Sequence, residues 1–385
     1  MSWQKASRVL LVVISFSLVS SLIPTAAQAD DMKEVLVASD VASSTGSLDS
    51  INRQIVKKEI ELLKLNAEFR THYTKPAKWK NRRLKVYDAI GGGIANAGDI
   101  TLMSQFYRYW KDPGAGLAHK GRLEAGPIVV AVAYLTLGSL YAGEGVFDLV
   151  NDYRAKRQGF DARSIFKKAL AYKNELNSLF ESRANAVQSL GGQGELVAEG
   201  KVLTDIRDLL LIEFSRIYVD SRQQRAARDL TTLGTIGVCA TGAAGAFQVV
   251  RGVQNVNLKQ VGGGGISFLV SGSTLTAAPI LIHGGAAAAG KLSADKLKKE
   301  LGKMQCTALD VLENDVRQLN QMSSPGTSRS IASNAEQYDV LCKLLRKRRE
   351  YLDQADRKKK REIIESFLSY AAKGGPQIAF GTMLT

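Results

Sequence analysis

Apolar residues at Leu48, Ile51, Ile55, Leu62, Leu65 and Phe69 fall three, four and seven apart, the spacing of one helix face, and predict a helix of about 25 residues. The same pattern recurs at Ile165, Ala169, Tyr172, Leu176 and Leu179, at Leu203, Ile206, Leu210 and Ile217, and at Leu297, Leu301, Met304, Ala308 and Val311. Each stripe belongs to an amphipathic helix that needs a partner surface. A last helix is bounded by Ser333 and Glu336, which have capping-box spacing, and by Gly374 and Pro376 as stop signals. Its apolar positions are Tyr338, Leu341, Leu345, Leu352, Ile363, Phe367 and Tyr370, and about 40 residues between cap and stop would reach roughly 60 Å at 1.5 Å per residue. The segment from Ser323 to Ser328, with Pro325 and Gly326, reads as a linker.

Two regions break this pattern. Residues 86–150 carry Gly91, Gly92, Gly93, Gly98, Gly138, Gly143 and Gly145 among Val, Ile, Ala and Leu, and residues 230–290 carry Gly234, Gly237, Gly242, Gly245, the run Gly262 to Gly265, Gly272, Gly284, Gly285 and Gly290. Each divides around a polar or flexible stretch, Arg108 to Arg122 or Arg251 to Gly265, and reads as a helical hairpin. Glycine costs nearly 1 kcal/mol per helical position against alanine, so its repeated use points to close helix approach. Small residues four apart mark the expected packing faces, Gly91 with Ala95, Gly93 with Ala97, Gly138 with Ala142, Ser139 with Gly143 and Gly284 with Ala288, and Gly237 and Gly242 join the expected packing set.

The expected class is therefore all-α: long amphipathic helices in a bundle or coiled coil, with two glycine-rich apolar hairpins. The segments in order are 30–85 amphipathic, 86–150 the first hairpin, 151–229 helical, 230–290 the second hairpin, 291–322 amphipathic, 323–332 linker, and 333–385 a long basic helix and tail.

Residues 1–29 have the order of a cleavable export signal: Lys5 and Arg8, an apolar stretch from Val9 to Ile23, then Ala27-Gln28-Ala29. Cleavage there starts the mature chain at Asp30. Its destination is then the periplasm or cell envelope, in association with a membrane.

The net charge of +15, less Lys5 and Arg8, leaves +13 on the mature chain. An excess of this size attracts acidic surfaces. For an exported chain, anionic lipid or acidic envelope polymer ranks above nucleic acid as a partner, and the helices offer surfaces for a homo-oligomer. Lys78, Trp79, Lys80, Arg82, Arg83 and Lys85 lead into the first hairpin, and basic residues interleaved with aromatics suit a headgroup layer. If the hairpins enter a bilayer, Asp88, Asp99, Glu144 and Asp148 become costly and should face the bundle interior or an aqueous path. Two hairpins make an even number of spans. That count would leave the large basic segments on the exported side, against the usual cytoplasmic bias of Lys and Arg.

Candidate chemistry is sparse. Three cysteines lack zinc spacing, and Cys306 with Cys342 is the pair suited to a disulfide in an oxidising compartment. Gly285 to Lys291 matches a phosphate loop except that Leu292 stands where Ser or Thr would hold magnesium. Ser164-Ile165-Phe166-Lys167 and Ser293-Ala294-Asp295-Lys296 have the Ser-x-x-Lys spacing of penicillin-binding enzymes without their companion motifs. No catalytic set, metal site or cofactor is expected. The leading expectation is a non-enzymatic, membrane-associated envelope protein, the alternative is a soluble exported scaffold or interaction protein whose hairpins form an internal core, and a pore-forming protein or an enzyme ranks below both.

Overall fold

The computed structural model describes residues 47–112, 120–191, 194–302, 304, 308–322 and 329–385. Among them are seven α-helices and no strand: α1 (Ser47–Lys111), α2 (Lys120–Arg157), α3 (Ala162–Ser189), α4 (Gly194–Gln254), α5 (Leu258–Leu301), α6 (Leu309–Met322) and α7 (Arg329–Leu384).

The amphipathic stripes become one core. Ile55, Leu62, Leu65 and Phe69 of α1, Ile165, Ala169 and Leu176 of α3, and Leu203, Ile206, Leu210 and Ile217 of α4 are buried together with Tyr338, Leu341 and Leu345 of α7. This core, closed by α6 and the end of α5, forms a helical head. A second core lies further along the same long helices. It joins Leu102 of α1, Tyr134 and Tyr141 of α2, Ala246 of α4, Phe268 of α5 and Phe380 of α7.

Several helix limits differ from the sequence expectation. α1 runs unbroken for 65 residues and α4 for 61, each carrying one chain from the head into the apolar half. The stripe from Leu297 to Val311 is split instead, because Gly302 adopts φ 75 and ends α5 before α6 begins. Such a backbone favours glycine, which lacks the Cβ that crowds the left-handed region. α7 begins at Arg329, ahead of Ser333, and continues through Gly374 and Pro376 to Leu384. Neighbouring helices allow Gly and Pro to persist inside apolar helices, since packing compensates for the lost backbone bond.

The head encloses a charged network. Arg183 donates to Asn52 Oδ1 at 2.7 Å, to the carbonyl of Leu196 at 2.8 Å and to Glu199 at 3.0 Å. Tyr338 donates to the other oxygen of Glu199 at 3.0 Å. These bonds satisfy a buried ion pair that would otherwise carry a large desolvation cost. Two acids nearby are held differently. Glu59 is buried with no hydrogen bond to either carboxyl oxygen, so burial raises its pKa well above the ordinary range. Asp205 is pushed up to about 7 by burial and by its hydrogen bond to Asp315, whose own pKa is lowered by bonds to Asp205 and Lys201 against the opposing effect of burial. Lys201 and Asp208 are the other charges facing Asp205.

A pH dependence follows. The unfolded chain releases the Asp205 proton near pH 4 whereas the folded head keeps it to about pH 7, so stability falls as pH rises through that window. Glu59 acts in the same direction, and Asp315 contributes its opposite change below that window. Thermal unfolding followed by helical circular dichroism should show a lower Tm at pH 8 than at pH 5.5, and a smaller difference in Asp205→Asn. A Tm that rises over this interval would exclude a shared proton at the pair.

Candidate membrane interface

The five helical segments around the second core face outward with apolar or uncharged residues. On α1 no exposed residue between Lys85 and Arg108 is charged, and the same holds on α2 between Arg122 and Arg154. It holds on α4 between Asp229 and Arg251, on α5 between Lys259 and Lys291, and on α7 from Ser366 to its end. Such stretches of 19 to 31 residues cover about 28 to 46 Å at 1.5 Å per residue, comparable with the roughly 30 Å hydrocarbon layer of a bilayer. On α2 the exposed residues from Ala125 to Val150 are apolar except Ser139, whose hydroxyl bonds the carbonyl of Leu135 at 2.7 Å.

Charged residues along these stretches turn inward or pair. Asp88 lies 2.8 Å from Lys373 Nζ and accepts from the Tyr141 hydroxyl at 2.8 Å. Gln377 accepts from Ser271 at 2.8 Å. Asp99 is fully buried and neither of its carboxyl oxygens has a hydrogen-bond partner. Asp88, Asn96, Tyr134, Thr235, Lys373 and Gln377 line a cavity of about 30 Å³, the share of one water molecule. The bundle thus keeps its few charged groups inside beside an apolar core and leaves an uncharged outer surface, unlike the charged outer face of a water-soluble helix.

Ion pairs ring the bundle where it meets the head. Lys80 pairs with Asp148 and donates to Thr232 at 3.3 Å. Arg83 clasps Glu144 through Nε and Nη2 at 2.5 and 2.8 Å. Arg225 and Arg228 reach Asp152 at 2.7 and 3.1 Å, and Lys359 reaches Asp220 at 2.6 Å. The basic cluster preceding Val86 is thereby divided. Lys80 and Arg83 point into ion pairs, whereas Trp79, Arg82 and Lys85 are exposed, with the Arg82 guanidinium 5.4 Å from the Trp79 ring centre. The Lys78 side chain lies outside the described residues. Of the four carboxylates, Asp88, Glu144 and Asp148 have cationic partners and Asp99 stands apart.

The glycines sort into two groups. A Cβ at Gly91 would lie 2.9 Å from Leu137, at Gly242 2.8 Å from Tyr134, and at Gly138 3.1 Å from Cys239, so these three sit at helix contacts. At Gly93, Gly143, Gly237 and Gly284 a Cβ would meet nothing within 4 Å, and Ala142 and Ala288 are exposed. Several close crossings use glycines seven residues apart. Gly98 meets Val130 as Gly91 meets Leu137, and Gly245 and Gly252 of α4 abut Gly264 and Val261 of α5. Gly265 and Gly272 of α5 face Gly381 and Gly374 of α7 in antiparallel order. A seven-residue step returns to nearly the same helix face, so this signal was present in the sequence at a longer spacing than the four-residue pairs.

The enzyme-like motifs do not assemble into a catalytic constellation. Gly285 to Lys291 is helical throughout, which commits its backbone amides to the helix instead of a phosphate. The Ser293 hydroxyl bonds the carbonyl of Ala289, and the Ser164 amide donates to the capping carboxylate of Asp161. His72 stacks on Phe160 and His283 bonds Ser366, while among the described residues no group of three metal-ligating side chains forms. Cys342 is buried in the head and Cys306 lies outside the described residues, as does the A-x-A segment.

Three helices, α2, α4 and α5, contain stretches long and apolar enough to cross a membrane. Comparison with known proteins finds no family model, curated protein or solved structure that matches the chain.

Proposed function

We propose that the protein is an exported, non-enzymatic component of the cell envelope whose glycine-packed helical hairpins insert into a membrane while the head stays in water. The observation that carries this reading is the uncharged outer surface shared by five helical segments whose charged residues face inward or pair at the head boundary. In water such an exterior would expose Val132, Leu135, Leu233, Phe247, Ile280 and Leu281 around the bundle, far beyond isolated surface apolars. In lipid the same residues meet hydrocarbon. Membrane lipid is thus the first partner, and the exposed Arg82 and Lys85 beside Trp79 suit its headgroups.

Liposome flotation tests the reading. The mature protein should float with vesicles at low salt and at 1 M salt, where the Debye length is about 3 Å and charge-driven binding is screened. It should also remain in the membrane after carbonate extraction. Release by salt, or a monodisperse protein that never floats, would favour the soluble scaffold.

A further inference from the structure

We infer that the apolar bundle crosses the bilayer completely as five helical segments, with the head on the exported side and a basic tip among anionic lipid headgroups on the opposite side. This inference rests on the membrane-inserted reading and adds depth, span number and orientation to it.

The tip is defined by the ends of the helices. α1 leaves the head and ends at Lys111, and α2 returns from Lys120. α4 leaves and ends at Gln254, α5 returns from Leu258, and α7 leaves and ends at Leu384. Phe380 of α7 packs on Phe106 of α1 and Phe268 of α5 with ring centres 6.0 and 5.1 Å apart, and Leu384 lies against Gly265. The end of α7 therefore sits at the tip beside the last turns of α1 and α4 and the first turns of α2 and α5.

Charge separates full crossing from shallow insertion. Arg108, Lys111, Arg122, Arg251 and Lys259 are all exposed at the tip. Each would cost about 2.5 to 3.5 kcal/mol at the centre of a bilayer, so a bundle stopping within the hydrocarbon would be opposed by its own leading end. Aromatic residues accompany the charges at both levels. Trp79 and Tyr153 are exposed near the head boundary, and Tyr107 is exposed near the tip with Lys111 Nζ 4.9 Å from its ring centre. From Trp79 to Tyr107 α1 rises about 42 Å, matching the roughly 40 to 45 Å of a bilayer with its headgroups.

Orientation follows from the same residues. Short loops whose flanking helix ends carry Lys and Arg, here Arg108, Lys111, Arg122, Arg251 and Lys259, stay on the cytoplasmic side, whereas large domains translocate largely regardless of charge. The end of α7 adds a fifth segment to those of α1, α2, α4 and α5. The large basic segments on the exported side do not conflict with the short-loop rule, because it does not govern large domains. α1 and α7 are the most polar of the five, and they place Asp88 and Lys373 against each other inside the bundle.

Accessibility of single cysteines tests the arrangement. Asn255→Cys at the tip and Glu181→Cys on the head are placed separately in the full chain with Cys239, Cys306 and Cys342 replaced by Ala, and expressed with the native leader in a Gram-negative host. Spheroplasts are treated with a membrane-impermeant maleimide before and after permeabilisation. Position 181 should label in intact spheroplasts, and position 255 should label at least ten-fold more after permeabilisation. Labelling of both positions in intact spheroplasts, with the protein retained after carbonate extraction, would overturn the crossing while leaving membrane insertion in place. Protection of 181 with labelling of 255 would overturn the orientation. Release by carbonate would instead remove the membrane reading on which the inference rests.

Discussion

Placing Arg at both Leu135 and Val270 is expected to abolish stable membrane insertion. These side chains are 47% and 52% exposed, on α2 and α5, near the middle of the uncharged outer surface. On an aqueous surface each substitution would change stability by no more than about 0.5 kcal/mol, and the added charge would improve solubility. In a bilayer each mid-depth Arg costs about 2.5 to 3.5 kcal/mol, together about 5 to 7 kcal/mol before snorkelling relieves part of it. The double variant should therefore lose flotation at 1 M salt or become extractable by carbonate, while helical circular dichroism reports an intact head. A variant that floats and resists carbonate like the parent would show that this surface does not meet lipid.

The second large effect is expected where α5 crosses α7. A Cβ at Gly381 would lie 2.7 Å from both the Gly265 carbonyl oxygen and the Leu269 amide nitrogen, and one at Gly374 would lie 2.6 Å from the Gly272 carbonyl oxygen and closer still to the Thr276 hydroxyl. These obstacles are largely backbone, so no rotamer change removes them. Gly374→Ala and Gly381→Ala should each destabilise the crossing by about 1 to 3 kcal/mol through overpacking, and Leu at either position by more. Gly284→Ala and Gly237→Ala meet open space and should be neutral or stabilising by up to about 1 kcal/mol, the helix-propensity gain over glycine. Thermal unfolding in detergent, with protease release of the α7 end as a second readout, orders the four variants. Equal effects at Gly284 and Gly374 would remove close backbone approach as the explanation for glycine in these helices.

The contrast between Gly284 and Gly374 marks the limit of local pattern. A small residue four positions from another places both on one helix face, but it does not say that a second helix occupies that face. Gly284 has such a neighbour in Ala288 and faces open space. Gly374 has the sequence context of a helix stop, with Pro376 following, yet α7 continues because α5 packs directly on its backbone. The basic cluster was divided by a similar effect. Lys80 and Trp79 are adjacent in sequence, but successive helical positions point about 100° apart, and only Lys80 reaches the carboxylate of Asp148.

The sequence by itself determined the helical class and most of the head core, because an apolar period of 3.6 has one low-energy backbone solution and a long stripe must be buried; Val311 of the expected stripe is instead exposed, and α6 turns Leu309, Leu312, Val316 and Leu319 into the core. It also determined which segments have the length and apolarity for a membrane, since these are sums over local composition. Only the tertiary structure decided that Asp88 meets Lys373, that Glu144 meets Arg83, and that Asp99 is left without a hydrogen-bond partner inside the bundle. It likewise decided which apolar faces remain outward on five segments at once. Periodicity defines a face in the frame of its own helix. Whether that face meets water, lipid or another helix depends on how distant helices rotate against one another, and that rotation is set by long-range contacts such as Gly272 against Gly374.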